Sequence, residues 1–257
     1  MCIRDSDAGE FVPWYQPMVS LTTGRLVGAE ALVRWMHPDK GVLPPAAFIE
    51  LAEGSGIIVE IGLEILARAC ADAVTWPGSV GVSVNLSPRQ LQHDGLVDDV
   101  AEILDATGLA PSRLTLEITE SVLVADPLAA ARVLGALKLL GVSLALDDFG
   151  TGYSSLSYLN RFPVDTLKVD KSFIDSLGEG IGNDKVLLQA IVGLGRTLEL
   201  KVVAEGIERP EQRASLQALG CGLGQGYLFA RPMSHALFLD HLAGTEQAEQ
   251  YGAQTVR

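Results

Sequence analysis

Strand and helix signals alternate along almost the whole chain, and this alternation limits the possible folds more than any other feature. Eight short β-branched or apolar runs are predicted strands, at 11–19, 26–33, 80–86, 113–118, 142–146, 166–169, 201–204 and, in a glycine-rich stretch, 222–227. Five segments repeat apolar residues every three or four positions and are predicted helices, at 57–73, 96–106, 128–139, 185–198 and 212–219. Such alternation favours parallel βα units.

The first two predicted strands differ from the rest of the pattern. Only a Thr-Thr-Gly turn at 22–24 separates them, so we expect them to pair as an antiparallel hairpin. Most later strands are continuous apolar runs, as expected for strands that are buried on both faces. The 257 residues suffice for one α/β barrel. We therefore predict an α/β fold, a TIM-like (β/α)8 barrel with an irregular, antiparallel first strand.

The domain boundaries follow from this pattern. We assign the barrel to residues 10–245, expect residues 1–9 to be a linker remnant or an artefact, and expect residues 246–257 to form a C-terminal tail. An open doubly wound sheet is the alternative architecture. Its dinucleotide-binding version is weakened because the first βα turns carry no Gly-x-Gly-x-x-Gly.

The charge balance excludes some classes of partner. Lysine and arginine number 19 against 32 aspartates and glutamates, which gives a formal net charge of −13. A groove for long nucleic acid and a polybasic membrane surface both need excess positive charge, so neither is expected. An acidic chain can still bind an anion if a metal ion supplies the positive charge.

Cysteine use and hydropathy predict a cytoplasmic location. Cys2, Cys70 and Cys221 are far apart and form no CxxC, which fits a reducing compartment without a disulfide framework. No apolar run reaches the roughly 18 residues of a membrane helix. The first residues also lack the apolar run of a signal peptide. We expect Cys221 to be a small buried hydrophobe.

Polar and charged side chains gather at the predicted strand ends, where the catalytic groups of a barrel lie. They are Glu30, Arg34, Asn85, Glu117, Glu120, Asp147, Asp148, Lys168, Asp170, Glu205 and Gln225. Carboxylates that face one another repel unless cations hold them, and oxygen ligands suit Mg²⁺ or Mn²⁺. Two ions bridged by a paired Asp-Asp can clamp a phosphodiester and activate water. The four histidines lie elsewhere, which argues against a zinc site and a Ser-His-Asp triad.

Each of these groups also has a simpler structural explanation. Glu30 and Arg34 could form an ion pair, and Asn85 before Ser-Pro could be a turn residue. The Asp-Asp pair at 147–148 could cap the next helix. Lys168 and Asp170 lie on the same side of a strand and could pair with each other. All of these explanations would have to hold independently at successive strand ends, so one joint site is favoured.

The order of the motifs resembles one known family. They are Tyr-Gln-Pro at 15–17, Glu-Ala-Leu-Val-Arg at 30–34, Asn-Leu-Ser-Pro at 85–88, Glu-Ile-Thr-Glu at 117–120, Asp-Asp-Phe-Gly-Thr-Gly-Tyr-Ser-Ser-Leu at 147–156, Lys-Val-Asp at 168–170, Ala-Glu-Gly-Ile-Glu at 204–208 and Gln-Gly-Tyr-Leu-Phe at 225–229. From about residue 10 to 240, the chain resembles the EAL-domain family of bacterial cyclic di-GMP phosphodiesterases.

This resemblance implies a hydrolase that uses two Mg²⁺ or Mn²⁺ ions to open cyclic di-GMP to linear pGpG. It implies metal ligands at Glu30, Asn85, Glu117, Asp147 and Asp148, with Asp147 bridging the ions. It implies catalytic roles for Lys168, Glu205, Gln225 and Glu120, of which Glu120 would support the loop at 148–156. It implies substrate contacts from Gln16, Leu32, Arg34 and Asp170. Ca²⁺ is expected to inhibit, because it is larger and its coordination is looser.

The resemblance also predicts partners. We expect a homodimer through the loop after the fifth strand, near Phe149, Tyr153 and Tyr158, and an upstream sensor or GGDEF domain in a longer protein. Two other functions stay open at this point. One is a receptor that binds cyclic di-GMP without cleaving it, and the other is a barrel phosphohydrolase that acts on a different diester.

Overall fold

The computed structural model describes residues 9–120, 126–150, 161–175, 177 and 182–254, with residues 182–184 and 246–254 described by their backbone alone. The described strands are β1 (Phe11–Ser20), β2 (Leu26–His37), β3 (Gly41–Leu43), β4 (Gly81–Leu86), β5 (Leu114–Thr119), β6 (Ser143–Phe149), β7 (Thr166–Val169), β8 (Lys201–Ala204) and β9 (Leu223–Gln225). The described α-helices are α1 (Ile49–Ser55), α2 (Ile58–Val74), α3 (Pro88–Leu91), α4 (Leu96–Thr107), α5 (Pro127–Leu139), α6 (Lys171–Asp175), α7 (Gly182–Thr197), α8 (Pro210–Leu219) and α9 (His235–Gln254). Short 3₁₀ turns cover Pro45–Ala47 and Pro111–Arg113.

Eight of the strands close into a barrel. From β2 through β4 to β9, each strand runs parallel to its neighbour. The first strand, β1, closes the ring by pairing antiparallel with both β2 and β9. The prediction of a barrel with an antiparallel first strand is therefore confirmed, and the open doubly wound alternative is wrong.

The second strand is longer than predicted. It runs to His37 rather than to residue 33, because the short strand β3 pairs antiparallel with its last three residues. Arg34 therefore lies inside a strand rather than at its end. The last strand is shorter than predicted and stops at Gln225. A Cβ at Gly226 would lie 2.2 Å from the backbone nitrogen of Ile207, so the chain passes this point only because residue 226 has no side chain.

The helices bury apolar stripes against the barrel. In α2 the buried positions recur every three or four residues, for example Ile58, Ile61 and Ile65, and this face packs on β1 and β4. Helix α5 begins where Asp126 Oδ1 accepts a 3.0 Å hydrogen bond from the backbone nitrogen of Ala129, with Pro127 in the first helical position. This layering brings the carboxyl ends of the strands to one mouth of the barrel.

The remaining described elements add to the sequence prediction. Helix α9 runs to Gln254, past the predicted barrel end at residue 245. In the described part of the chain, no helix has the length and apolar content needed to cross a membrane.

Burial raises the pKa of the Cys70 thiol to about 12 and that of the Cys221 thiol to about 11. Both groups stay protonated near neutral pH, and Cys221 is buried as expected.

Candidate active site

Lys168 lies at the centre of the candidate site. Strand β7 carries its side chain into the barrel, where it is 1% exposed. Its Nζ lies 2.8 Å from Glu205 Oε1, 3.2 Å from Asp147 Oδ1 and 3.4 Å from Glu30 Oε2, and it also donates a hydrogen bond to Glu117 Oε2. One buried ammonium group therefore holds four carboxylates that come from four different strands or strand ends.

Four carboxylates surround a single cation, and this excess of negative charge shifts the pKa values of the groups in the site. Burial alone lowers the pKa of Lys168, but Glu117 and the other three carboxylates outweigh it, so the pKa is raised well above its usual value. Burial raises the pKa of Glu117 well above its usual value, with Glu30 and Asp147 adding to the effect. Burial also raises the pKa of Glu205 to about 7. Crowded carboxylates of this kind are a favourable site for additional positive charge.

The acidic side chains form two groups that share one member. Oxygens of Glu30, Glu117 and Asp147 lie within 4.8 Å of one another, and so do oxygens of Asp147, Asp148 and Glu205. The second carboxylate oxygen of Glu117, Oε1, is buried and has no hydrogen-bond partner among the described residues. An all-oxygen donor set with an unsatisfied buried oxygen fits hard divalent ions such as Mg²⁺ and Mn²⁺.

Asn85 joins this arrangement at the end of β4. Its Nδ2 donates a 2.7 Å hydrogen bond to Glu30 Oε1, which leaves its Oδ1 as the atom that can ligate a cation. The side chain is exposed at the barrel mouth. Just beyond it, the Ser87 hydroxyl accepts a hydrogen bond from the backbone nitrogen of Gln90, and Gln90 Oε1 accepts one from the backbone nitrogen of Ser87. This capping box at the start of α3 anchors the turn that carries Asn85.

The Asp147–Asp148 pair depends on an irregular backbone. Pairing between β6 and β7 shifts register between Leu146 and Phe149, and Asp148 adopts a φ of 54°. The backbone nitrogen of Asp148 donates a 3.0 Å hydrogen bond to Asp147 Oδ1. Consecutive residues of a regular strand point to opposite faces, so this bulge allows both carboxylates to reach the same ion group. Aspartate is one of the few non-glycine residues that tolerate left-handed backbone, so the residue at position 148 suits this bulge.

The side-chain amides of Gln225 and Asn85 orient Glu30. Gln225, at the end of β9, donates from Nε2 to Glu30 Oε2 at 2.6 Å and to Gln16 Oε1 at 3.1 Å. Gln16, on β1, in turn donates to the backbone oxygen of Ala230 at 3.3 Å. Burial raises the pKa of Glu30, but the charge of Lys168 and the hydrogen bonds from Gln225 and Asn85 outweigh it, so the pKa lies below its usual value. Lys168 and the two amides therefore keep Glu30 ionised, and Asn85 and Gln225 each fix one of its oxygens.

Other predicted residues lie at the edge of the site or outside it. Arg34 donates to the backbone oxygen of Val33 at 2.9 Å, and its guanidinium lies 5.4 Å from the centre of the Trp14 ring. Asp170 Oδ1 accepts hydrogen bonds from the backbone nitrogen and the hydroxyl of Ser172. The alternative of a Lys168–Asp170 pair is therefore wrong, whereas the segment that Asp147–Asp148 could cap lies outside the described residues.

Glu120 follows β5 directly and is half-buried. Residues 151–156 of its predicted partner loop, and with them Tyr153, lie outside the described residues, as does Tyr158. Phe149, the last residue of β6, is 4% exposed.

A cleft of about 300 Å³ opens above the carboxylates. Leu32, a predicted substrate contact, lines it together with Lys171, Glu208 and Tyr227, for which the sequence predicted no role in the site. Lys171 Nζ donates a 2.5 Å hydrogen bond to Glu208 Oε1. Glu208 and Tyr227 lie within the Ala-Glu-Gly-Ile-Glu and Gln-Gly-Tyr-Leu-Phe motifs, so their position in those motifs was the available signal.

Known proteins resemble the chain over most of its length. Residues 3–232 match the model of the EAL domain. MucR of Pseudomonas aeruginosa, a bifunctional diguanylate cyclase/cyclic di-GMP phosphodiesterase, is 45% identical over 228 residues, which cover 87% of this chain and 33% of MucR. The cyclic di-GMP phosphodiesterase RocR of the same organism is 37% identical over 246 residues, covering 95% of this chain and 62% of RocR. The chain thus spans about a third of the length of MucR and less than two thirds of RocR.

Solved structures agree with the sequence matches. The MucR phosphodiesterase in complex with cyclic di-GMP superposes with a TM-score of 0.86 at 44% identity, covering 90% of this chain and 95% of that one. The manganese/cyclic di-GMP complex of BlrP1 from Klebsiella pneumoniae gives a TM-score of 0.77 at 34% identity, covering 87% and 56%. Because the family model covers most of the chain, this protein belongs to the EAL domain family.

Proposed function

We propose that this protein hydrolyses cyclic di-GMP to linear pGpG with two divalent metal ions. The observation that carries the proposal is the buried Lys168 ammonium inside four carboxylates that form two overlapping ligand groups around Asp147. Relatives named as cyclic di-GMP phosphodiesterases, one of them similar in structure and in complex with cyclic di-GMP, support this substrate.

The metal ligands follow the geometry of the two groups. Glu30, Asn85, Glu117 and Asp147 would hold the first ion, and Asp147, Asp148 and Glu205 would hold the second, with Glu205 acting directly or through water. Bound Mg²⁺ or Mn²⁺ lowers the pKa of a water and neutralises charge on the phosphate. The manganese complex of the related BlrP1 supports this choice of ions.

The chain's own groups position the reactants. Lys168 has three N–H donors, which hold the carboxylates in place and can orient a water among them. Gln225 fixes Glu30 and is therefore a positioning residue, which we expect also to help orient the attacking water. Arg34 presents a planar fork that suits a phosphate oxygen. Gln16, Leu32 and Asp170 stay proposed substrate contacts, and Glu120 a proposed support for the neighbouring loop.

A receptor that binds cyclic di-GMP without cleaving it is the second candidate function. Such a receptor needs a cleft but has no need for two carboxylate groups that share a residue. It also has no need for a buried lysine that balances them. The two carboxylate groups that share Asp147 at the barrel mouth therefore favour the hydrolase.

Partners beyond the substrate belong to this proposal too. A homodimer through the loop after β6 and an attached sensor or GGDEF domain stay predictions, the latter supported by the bifunctional name of MucR, of which this chain covers 33%. The domain boundaries and the cytoplasmic location also stay predictions. The buried free thiols of Cys70 and Cys221 are compatible with a reducing compartment.

Turnover by purified protein tests the proposed function. Metal-stripped protein should leave cyclic di-GMP intact, and added Mg²⁺ or Mn²⁺ should restore pGpG formation, measured by liquid chromatography. Glu30→Ala should abolish turnover while the protein stays folded, because it removes a ligand and relieves repulsion. Binding of cyclic di-GMP without any pGpG would instead support the receptor, and turnover of other diesters alone would support a different phosphohydrolase.

A further inference from the structure

A tryptophan on the first strand contacts the arginine that is proposed to bind the phosphate. In the antiparallel pairing of β1 with β2, Trp14 lies opposite Leu32 and Val12 lies opposite Arg34, so Trp14 and Arg34 are diagonal neighbours. Diagonal side chains on one face of such a pair reach each other when one of them is aromatic or long. Cζ of Arg34 lies 5.4 Å from the centre of the Trp14 ring, which is within the range of a cation–π contact.

Both side chains lie on the face of the strands that carries the catalytic groups. Glu30 and Leu32 line the catalytic cleft, and Arg34 is the next residue of β2 on the same face, because alternate residues of a strand share a face. Trp14 lies directly opposite Leu32 on the neighbouring strand, and residues opposite each other in an antiparallel pair point to the same side of the sheet. The pair therefore continues the wall of the cleft beyond Glu30, towards the carboxyl end of β2.

The charge of Arg34 has no anionic partner in the described part of the chain. Its Nη1 donates a 2.9 Å hydrogen bond to the backbone oxygen of Val33, and the N–H groups of Nε and Nη2 bond to none of the described residues. The side chain is half-buried, and burial lowers the pKa of its guanidinium. A partly buried cation with unused donors beside the cleft is suited to bind an anionic oxygen of a ligand.

The indole ring restricts a side chain that would otherwise be flexible. Arginine has many rotamers, and ordering such a side chain when a ligand binds costs free energy. A planar guanidinium stacks well on an aromatic face, so contact with Trp14 orders Arg34 before the ligand arrives. We propose that Trp14 is a positioning residue that directs Arg34 towards the substrate phosphate, an inference that rests on the proposed function.

Direct stacking of Trp14 on a base of the substrate is the competing role, since the indole is half-buried at the edge of the cleft. If Trp14 stacks on the base, loss of its ring weakens binding whether or not Arg34 is present. If Trp14 acts through Arg34, loss of its ring has no effect once the guanidinium has been removed. A double-mutant cycle of the two residues therefore separates the two roles.

Calorimetric binding of cyclic di-GMP in Ca²⁺ provides the cycle, because Ca²⁺ is expected to support binding with little turnover. Arg34→Ala should weaken binding about tenfold or more, since a charged hydrogen bond is lost. Trp14→Leu should weaken it about 2–5-fold, the value of an exposed cation–π contact, and Trp14→Phe, which keeps a ring, should weaken it less. In the Arg34→Ala background, Trp14→Leu should change the affinity by about 1.5-fold or less. If Trp14→Leu does not fold, Trp14→Met replaces it.

Side-chain NMR of Arg34 tests the same claim without any ligand. In the metal-free protein, ¹⁵N relaxation of the Arg34 Nε–H group should show restricted motion, and Trp14→Leu should release it. Equal motion in the two proteins would overturn the proposal, and so would the same loss of affinity from Trp14→Leu with and without Arg34. If Trp14 orders Arg34 but no variant and no wild-type protein binds cyclic di-GMP, the proposed function is refuted and the positioning of Arg34 by Trp14 is supported.

Discussion

The side-chain amide of Gln225 donates a 2.6 Å hydrogen bond to Glu30 Oε2, joining the last strand of the barrel to the second. Glu30 is thereby held by two amides, one on each oxygen, because Asn85 donates to its Oε1 at 2.7 Å. The lysine at the centre contacts the same carboxylate. A metal ligand fixed from several strands is preorganised for an ion, and the fixing groups become targets for mutation.

We expect Gln225→Ala to weaken metal affinity or turnover about 10–100-fold, because partners that orient a metal ligand typically contribute that much. The fold should persist, since the substitution removes one side chain at the end of a short strand. Mn²⁺ titration followed by turnover measures the effect. Gln92→Ala, at an exposed position on the surface, is the matched control and should match wild type. Equal Mn²⁺ dependence of the two variants would contradict the role of Gln225.

Lys168→Met should destabilise the metal-free protein by about 3–5 kcal/mol, because it leaves several buried carboxylates without their cation. Mn²⁺ should restore part of the loss, since the ion replaces the missing positive charge. Urea unfolding with and without Mn²⁺ measures both effects. Lys201→Met, at an exposed position, should leave the free energy of unfolding unchanged. An unchanged stability of metal-free Lys168→Met would show that Lys168 is not the balancing charge.

Asp148 combines a proposed ligand role with a left-handed backbone, and two substitutions separate these. Asp148→Asn keeps a residue that tolerates this conformation, so its stability should stay near wild type while turnover falls. Asp148→Ala should lose turnover and also about 1–2 kcal/mol of stability, because alanine is strained at a φ of 54°. Denaturant unfolding and turnover are measured on both. Full turnover by Asp148→Asn would remove Asp148 from the ligand set.

Substitution of Tyr15 should change the stability of the barrel and leave catalysis unchanged. Its hydroxyl donates a 2.6 Å hydrogen bond to Asp72 Oδ2, and its ring packs between Trp76 and Phe238. Burial raises the pKa of Tyr15, so the hydroxyl remains a donor at all ordinary pH values. Tyr15→Phe should cost about 1–3 kcal/mol, because Asp72 loses a buried partner. Turnover per folded molecule should not change, and a selective loss of turnover would contradict this assignment.

Ion substitution tests the geometry of the metal groups. Mg²⁺ or Mn²⁺ added to stripped protein should raise the melting temperature, because ions that bind only the folded state stabilise it. Ca²⁺ should also bind but support little turnover, since it is larger and prefers looser coordination than the two groups around Asp147 offer. Calorimetry and product analysis in each ion measure the two effects. Full activity in Ca²⁺ would contradict a tight two-ion site.

The barrel was predictable from the sequence, and so was the clustering of most candidate site residues at one mouth. The carboxyl ends of parallel strands in βα units converge whatever the details of side-chain packing. The length of β2 was not, since β3 extends it through pairing that involves only three residues. Lys168 pairs with four carboxylates on other strands and not with the nearby Asp170. Contacts between strands of this kind cannot be predicted from the spacing of residues within one segment. The Gln90 amide likewise occupies the space that a side chain at residue 62 would fill, and this contact between positions 28 apart is not visible in local spacing.

Hydrolysis of cyclic di-GMP in ¹⁸O-labelled water is the most direct test of the central claim that this carboxylate cluster is a two-ion hydrolytic centre. Purified protein with Mn²⁺ should convert cyclic di-GMP to pGpG that carries one ¹⁸O on its terminal phosphate, detected by mass spectrometry. Asp147→Asn, which alters the shared ligand, should give no labelled product. Intact cyclic di-GMP after incubation with saturating Mn²⁺, or product without the label, would contradict the account.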